Sequence, residues 1–128
     1  PTLDLSGQDS ANKFYIIMKS FSDFDGDISD IELEGIQDMS IEKIQKTKDT
    51  ESVYKLVAAA HKKNKKWILS VKPTLVDRYS FLGSCTGWEM GIELKTDLYE
   101  SISLKTYESI PQGTSAAVLR DMIELMPA

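Results

Sequence analysis

Between Trp88 and Lys95 apolar and polar residues alternate without a break, with Trp88, Met90, Ile92 and Leu94 on one register and Glu89, Gly91, Glu93 and Lys95 on the other. A period of two sends successive side chains to opposite faces of an extended chain, so the segment reads as a half-buried strand with one wet face. Ile102, Leu104 and Thr106 repeat the pattern after Thr96-Asp97, and residues 88–107 therefore read as a hairpin. A sheet with one apolar face must bury it against another layer.

Two segments offer a helical period. Val53, Leu56, Val57 and Ala60 recur at i, i+3, i+4 and i+7, which predicts a helix over about 49–63, opened by Asp49 or Thr50 and ended by Asn64. Val118, Leu119, Met122, Ile123 and Met126 form a second stripe, over about 115–126, with Thr114 or Ser115 as cap and Pro127 beyond its end. Lys66–Lys72 and Leu75–Leu82 read as strands broken at Pro73, and Ile31 with Leu33 as one more. Residues 13–21 fit a strand through Phe14, Ile16 and Met18, or a helix through Phe14, Ile17, Met18 and Phe21. The expected fold is α+β: a mainly antiparallel sheet of about 4–6 strands with two helices, about 49–63 and 115–126, packed on one face.

Length bounds the rest. With 128 residues the expectation is one globular domain over 1–128, able to hold a core without disulfides or a structural metal. A (β/α)8 barrel needs about 250 residues and is excluded. No repeat, low-complexity tract or linker divides the chain. The 15 basic and 20 acidic residues leave a net charge of −5, which argues against general nucleic-acid binding. The charges are grouped: two lysines and nine acids in residues 1–40, nine lysines and three acids in 41–72, four basic and eight acidic groups in 73–128. If these blocks stay apart on the folded surface, they make it dipolar, and such a surface steers charged partners.

Cys85 is the single cysteine, so an internal disulfide is impossible and a reducing compartment is the expectation. Pro1-Thr-Leu-Asp-Leu shows no basic stretch leading into an apolar run, so no signal peptide is expected. The densest apolar stretch, Phe14-Tyr-Ile-Ile-Met18, falls well short of the ~20 residues that cross a bilayer. A soluble, cytoplasmic protein with no membrane partner follows as the expectation.

Ser22-Asp23-Phe24-Asp25-Gly26-Asp27-Ile28-Ser29-Asp30-Ile31-Glu32 resembles a calcium-binding EF-hand loop. Asp23, Asp25 and Asp27 fall at positions one, three and five, Ile-Ser-x-x-Glu follows, and Phe21 stands where an entering helix would place a residue. The sequence departs from that family by lacking the sixth-position glycine and one neighbour. Asp23 to Glu32 thus spans ten residues, and the closing Glu is displaced from its bidentate position. A solvated acidic turn without metal is the expectation. The run 25–32 is also similar to the acidic active-site run of family-18 chitinases, with Ile28 in place of one acid. Those enzymes require a full barrel, which this length forbids.

Gly83-Ser84-Cys85-Thr86-Gly87 resembles the G-x-C-x-G form of a nucleophile elbow. That resemblance implies Cys85 on a strained turn between a strand and a helix. A period-2 strand follows here instead, so a loop or bulge is expected. His61, the one histidine, is expected on a helix surface. Lys62-Lys63-Asn64-Lys65-Lys66-Trp67 is a basic cluster that can contact phosphates, or simply a solvated helix end with Trp67 turned into the core. No phosphate-cradling Gly-rich loop or zinc-ligand spacing occurs, so no cofactor or metal is assigned.

The functional expectation is a non-enzymatic protein-interaction domain, of inhibitor, immunity, chaperone or adaptor type. It would bind a protein partner through charged surfaces, with Asp23, Asp25 and Asp27 on the acidic side and Lys62, Lys63, Lys65 and Lys66 on the basic side. The alternatives are a small enzyme with Cys85 as nucleophile, or an anion-binding module built on lysines 62–66.

Overall fold

The computed structural model describes residues 5–37 and 39–126. These residues form an α+β structure, with four α-helices and five strands in two small sheets. In chain order they are α1 (Gln8–Phe21), a 3-10 turn (Ile28–Asp30), β1 (Ile31–Leu33), α2 (Ile41–Gln45), β2 (Ser52–Lys63), β3 (Lys66–Asp77), α3 (Phe81–Ser84), β4 (Glu89–Leu94), β5 (Ile102–Tyr107) and α4 (Gln112–Glu124). The chain divides into two compact units, Pro1–Gly83 and Ser84–Ala128, described separately below.

In the first unit β3 is the central strand of the order β1-β3-β2. It runs parallel to β1, with Ile31 opposite Leu69, and antiparallel to β2, with Ser52 opposite Asp77 and Lys63 opposite Lys66. Leu69 and Val71 on one face of β3 are buried beneath α1, whose Ala11 and Met18 meet them together with Phe24 and Ile31. Ile68 on the opposite face of β3 is exposed. The ambiguity over 13–21 is resolved as helix, because Ala11, Phe14 and Met18 share the face that reaches this core.

The helix expected over 49–63 is a strand. Val53, Leu56, Val57 and Ala60 do not share a face: Leu56 and Ala60 lie opposite Pro73 and Leu69, whereas Val53 and Val57 are on the alternate register. β-Branched and aromatic residues open the segment as Ser52-Val-Tyr-Lys-Leu-Val, and pairing to β3 carries the helix-favouring Ala58-Ala59-Ala60 along with it. Asn64 does end the element, but as a turn residue. Asn64 and Lys65 have φ of 51° and 65°, the two left-handed central residues of a type I′ hairpin turn.

Pro73 does not interrupt β3. The carbonyl of Val71 faces β1, where it accepts from the N–H of Glu34. Position 73, two residues on, therefore also turns its backbone groups away from β2, so no ladder bond is lost where Pro lacks an N–H. β3 ends at Asp77, and residues 81–84 form a helical turn rather than the end of a second strand.

In the second unit the hairpin is as expected: β4 and β5 pair antiparallel, Glu89 opposite Tyr107 and Leu94 opposite Ile102. The expected helix over 115–126 starts earlier, at Gln112, and the Pro127 stop lies outside the described residues. Its start is held by Glu108, whose carboxylate accepts from the backbone N–H and the hydroxyl of Thr114. The stripe Val118, Leu119, Met122 and Ile123 is exposed, with Leu119 at 59%. Neither element expected to cover one sheet face does so: one is itself a strand, and the other leaves its stripe open.

Two substitutions separate these environments. Leu69→Ala, at a fully enclosed site, is expected to cost ~2–5 kcal/mol, whereas Leu119→Ala, which removes atoms already in water, should stay within about 0.5 kcal/mol in urea unfolding. Lys65→Gly creates an Asn-Gly turn and relieves a left-handed lysine, so it should raise stability by about 1 kcal/mol. Unchanged or reduced stability would contradict the I′ geometry.

Candidate functional site

The acidic run is spent largely on holding the chain in place. After α1, the Ser22 hydroxyl donates to the Met18 carbonyl at 2.6 Å and accepts the N–H of Phe24 at 3.1 Å, turning the chain back towards the sheet. Phe24 then packs edge-on against Tyr15, with ring centroids 6.3 Å apart. Asp27 and Asp30 form a capping box around the 3-10 turn: Asp30 accepts the N–H of Asp27 at 2.7 Å, and Asp27 accepts that of Ser29. Glu32 lies in β1, 3.9 Å from the ammonium of Lys72. The segment that resembles an EF-hand is thus a capped turn leading into a strand. Among the described residues no group of three or more His, Cys, Asp or Glu side chains could hold a metal ion.

Asp23 has a different role. Its carboxylate accepts from Lys62 Nζ at 2.5 Å and from Trp67 Nε1 at 2.6 Å, while the Lys62 ammonium stands 5.3 Å from the centre of the Trp67 ring. The end of α1 is thereby tied to the tip of the β2–β3 hairpin. The structure brings the acidic and lysine-rich blocks together here, where the dipolar reading needs them apart. Asp25, Asp30, Glu32, Lys65 and Lys66 are among the residues that line an open cleft of about 550 Å³. Lys63 is exposed on the hairpin, and His61 lies on β2 opposite Ile68 rather than on a helix.

Cys85 is not on an elbow. A helical turn precedes it and β4 follows, the reverse of the strand-to-helix order such a nucleophile needs. The loop is fastened by Glu89, which accepts the N–H of Thr86 at 2.8 Å and meets Lys105 at 3.4 Å. The Thr86 N–H, and after it Lys105, hold the Glu89 carboxyl below its usual range.

One pairing was not singled out from the sequence. On α1, Lys13 Nζ lies 2.8 Å from Asp9 Oδ2, one helical turn away, with side chains 66% and 41% exposed. The helix starts at Gly7, whose φ of 78° is left-handed and whose carbonyl accepts the N–H of Ala11. At 3.6 residues per turn, Asp9 and Lys13 fall on the side of α1 opposite Gly7, Ala11 and Met18, and so point away from the sheet. The i, i+4 spacing of an acid and a lysine just after a glycine was the available signal. It carries meaning only once residues 8–21 are known to be helical.

The Asp23 clasp makes a pH prediction. The Lys62 ammonium, with the Trp67 N–H second, holds the Asp23 carboxyl below its ordinary value of 3.8. The linkage is that of a depressed acid: its stabilisation is present above the unfolded value and lost as pH falls through the lower folded one. In a Trp88→Phe background, Trp67 fluorescence should therefore shift in a step below pH 3.8 that Asp23→Asn abolishes. A step that survives Asp23→Asn would rule out the clasp as its origin.

Similarity to known proteins bears on all of this. The family profile described as homoserine dehydrogenase matches residues 1–123. Among solved structures, an S. aureus homoserine dehydrogenase superposes with a TM-score of 0.83 at 23% identity, covering 97% of this chain and 31% of the other. A homoserine dehydrogenase from Thiobacillus denitrificans gives a TM-score of 0.84 at 22% identity, covering 96% of this chain and 28% of the other. A search of curated protein sequences gave no match. The chain spans about a third of the length of the solved proteins it matches. The family match overturns the expectation of a non-enzymatic protein-interaction domain, and with it the expected role for a protein partner. With 123 of its 128 residues under one profile and its fold shared with solved members, the chain belongs to the homoserine dehydrogenase family.

Proposed function

We propose that this chain forms part of an oxidoreductase that interconverts the hydroxyl of homoserine and the corresponding aldehyde, and that it serves the proton-transfer side of that reaction. The observation that carries the reading is the family match over residues 1–123. Dehydrogenation of an alcohol removes a hydride from carbon and a proton from oxygen. The hydride needs an acceptor, and no strand–Gly-rich loop–helix unit of the kind that cradles a dinucleotide stands among the described residues. The proton needs a side chain that can take it from the hydroxyl or return it to the carbonyl oxygen.

Lys13, positioned by Asp9, fits that task. The pair sits on the longest helix, and that helix is seated on the buried face of the central strand. A group borne on a packed helix holds its place better than one on a loop. Lys62 is engaged with Asp23 and Trp67, and Lys72 is 3.9 Å from its carboxylate, so neither offers the same arrangement. In the oxidation direction the neutral Lys13 amine accepts the hydroxyl proton, and in the reverse direction the ammonium returns it. The single cysteine and the lack of any described helix long and apolar enough to cross a membrane accord with a cytoplasmic setting, which belongs to this proposal.

The natural protein that carries this chain should oxidise homoserine with an oxidised nicotinamide dinucleotide as hydride acceptor. Lys13→Met should lower kcat by roughly 10²–10⁴-fold, the range for removing a positioned acid–base group. Its stability should change by less than about 1 kcal/mol, because the pair is exposed. Undiminished turnover in Lys13→Met would remove Lys13 from the chemistry, and no homoserine-dependent reduction at all would remove the activity.

A further inference from the structure

The approach of the chain to α1 is confined by two glycines from opposite sides. A Cβ on Gly7 would lie 3.0 Å from Leu33 Cδ1 on β1 and 3.7 Å from Val71 Cγ1 on β3. A Cβ on Gly35, just past β1, would lie 2.8 Å from the carbonyl oxygen of Leu5 and 2.9 Å from the Cα of Ser6. That same Leu5 oxygen accepts the N–H of Ile36 at 2.9 Å. Leu5-Ser6-Gly7 thus crosses the end of β1 at a separation that only a residue without a side chain permits. Two residues later comes Asp9, and one turn beyond it Lys13.

We propose that Gly35, together with Gly7, is a positioning residue for the Asp9–Lys13 pair, fixing the height and rotation at which the first turn of α1 sits on the sheet. The inference rests on the reading of that pair given above. The two glycines differ in kind. Gly7 needs both its left-handed φ and the close contact. The φ of Gly35 is not positive, so alanine suits its local conformation and the close approach alone is at stake. The atoms that an alanine at 35 would meet are backbone, which cannot swing aside as a side-chain tip can. The Leu5–Gly7 segment must move, and the start of α1 moves with it. The other end of α1 remains anchored by Met18 and by the bonds at Ser22.

The test is made in the natural protein with homoserine as substrate. Gly35→Ala should lower kcat by roughly 10–100-fold, the usual consequence of moving a reacting group by about an ångström. KM should stay within about threefold, since the lost interaction belongs to the chemical step. The limb of the kcat–pH profile that disappears in Lys13→Met should be displaced. Met18→Ala, at the far end of α1, should lower Tm at least as much and leave kcat and that limb in place. A folded Gly35→Ala with wild-type kcat and pH profile overturns the proposal, as does an equal fall in kcat for Met18→Ala. If Gly35→Ala does not fold, Gly7→Val decides. A β-branched residue is strained at the left-handed φ, and its added methyls crowd Leu33 and Val71 together, so the start of α1 must shift even where the Leu33 tip gives way. Its kcat should fall at least about tenfold with KM within about threefold, whereas a folded Gly7→Val with wild-type kcat overturns the proposal. Undiminished turnover in Lys13→Met would instead remove the acid–base reading itself, independently of either glycine.

Discussion

Burial of Leu69 and Val71 is what the first unit is built around. These two side chains sit on the central strand, so every element of the unit's core must be placed relative to them: β1 and β2 by hydrogen bonds at either edge, α1 by Ala11 and Met18 on top. Val71 is completely enclosed, and among the described residues no polar or charged side chain is buried with it. A core this small leaves little redundancy. Losing one of its members lowers the stability of the unit as a whole.

Small residues near the start of α1 and large ones near its end explain how the helix is seated. Gly7 lets the start of the helix approach Leu33 on β1 and Val71 on β3 closely, whereas Phe14, Tyr15 and Met18 pack in the cluster that holds Phe24. The consequence runs from sequence to chemistry: the close backbone approach of Leu5 and Ser6 to Gly35 adjoins the residues proposed to handle the proton. The Asp23 clasp plays the corresponding part at the opposite end, holding the hairpin tip against the chain leaving α1.

Legibility in the sequence followed from how local the deciding interaction was. The β4–β5 hairpin and α4 were readable because alternation and helical stripe each pointed to one period. Ser52–Lys63 was misread because its apolar spacing satisfied a helix while its true partner, β3, lay across a turn marked only by Asn64 and Lys65. Neither residue is glycine, so the turn lacked its strongest sign. The site was less legible than the fold. Charge grouping directed attention to Asp23, Asp25 and Asp27 and to the lysines at 62–66, most of which serve as caps, clasp or cleft walls. Asp9 and Lys13 carried no composition signal, and Gly35 owes its importance to a segment nearly thirty residues earlier in the chain.

Pro73 has an outcome for the edge of the sheet. Beyond Leu33, the margin of β3 that faced β1 would otherwise offer a row of donors and acceptors to any passing extended chain. At Pro73 that row lacks its donor, and Lys72 beside it brings a charge. A foreign strand that tried to lengthen β1 along this margin would meet a missing hydrogen bond two residues after the last native pair. The proline expected to cut the strand in two instead makes this flank a poor template for aggregation.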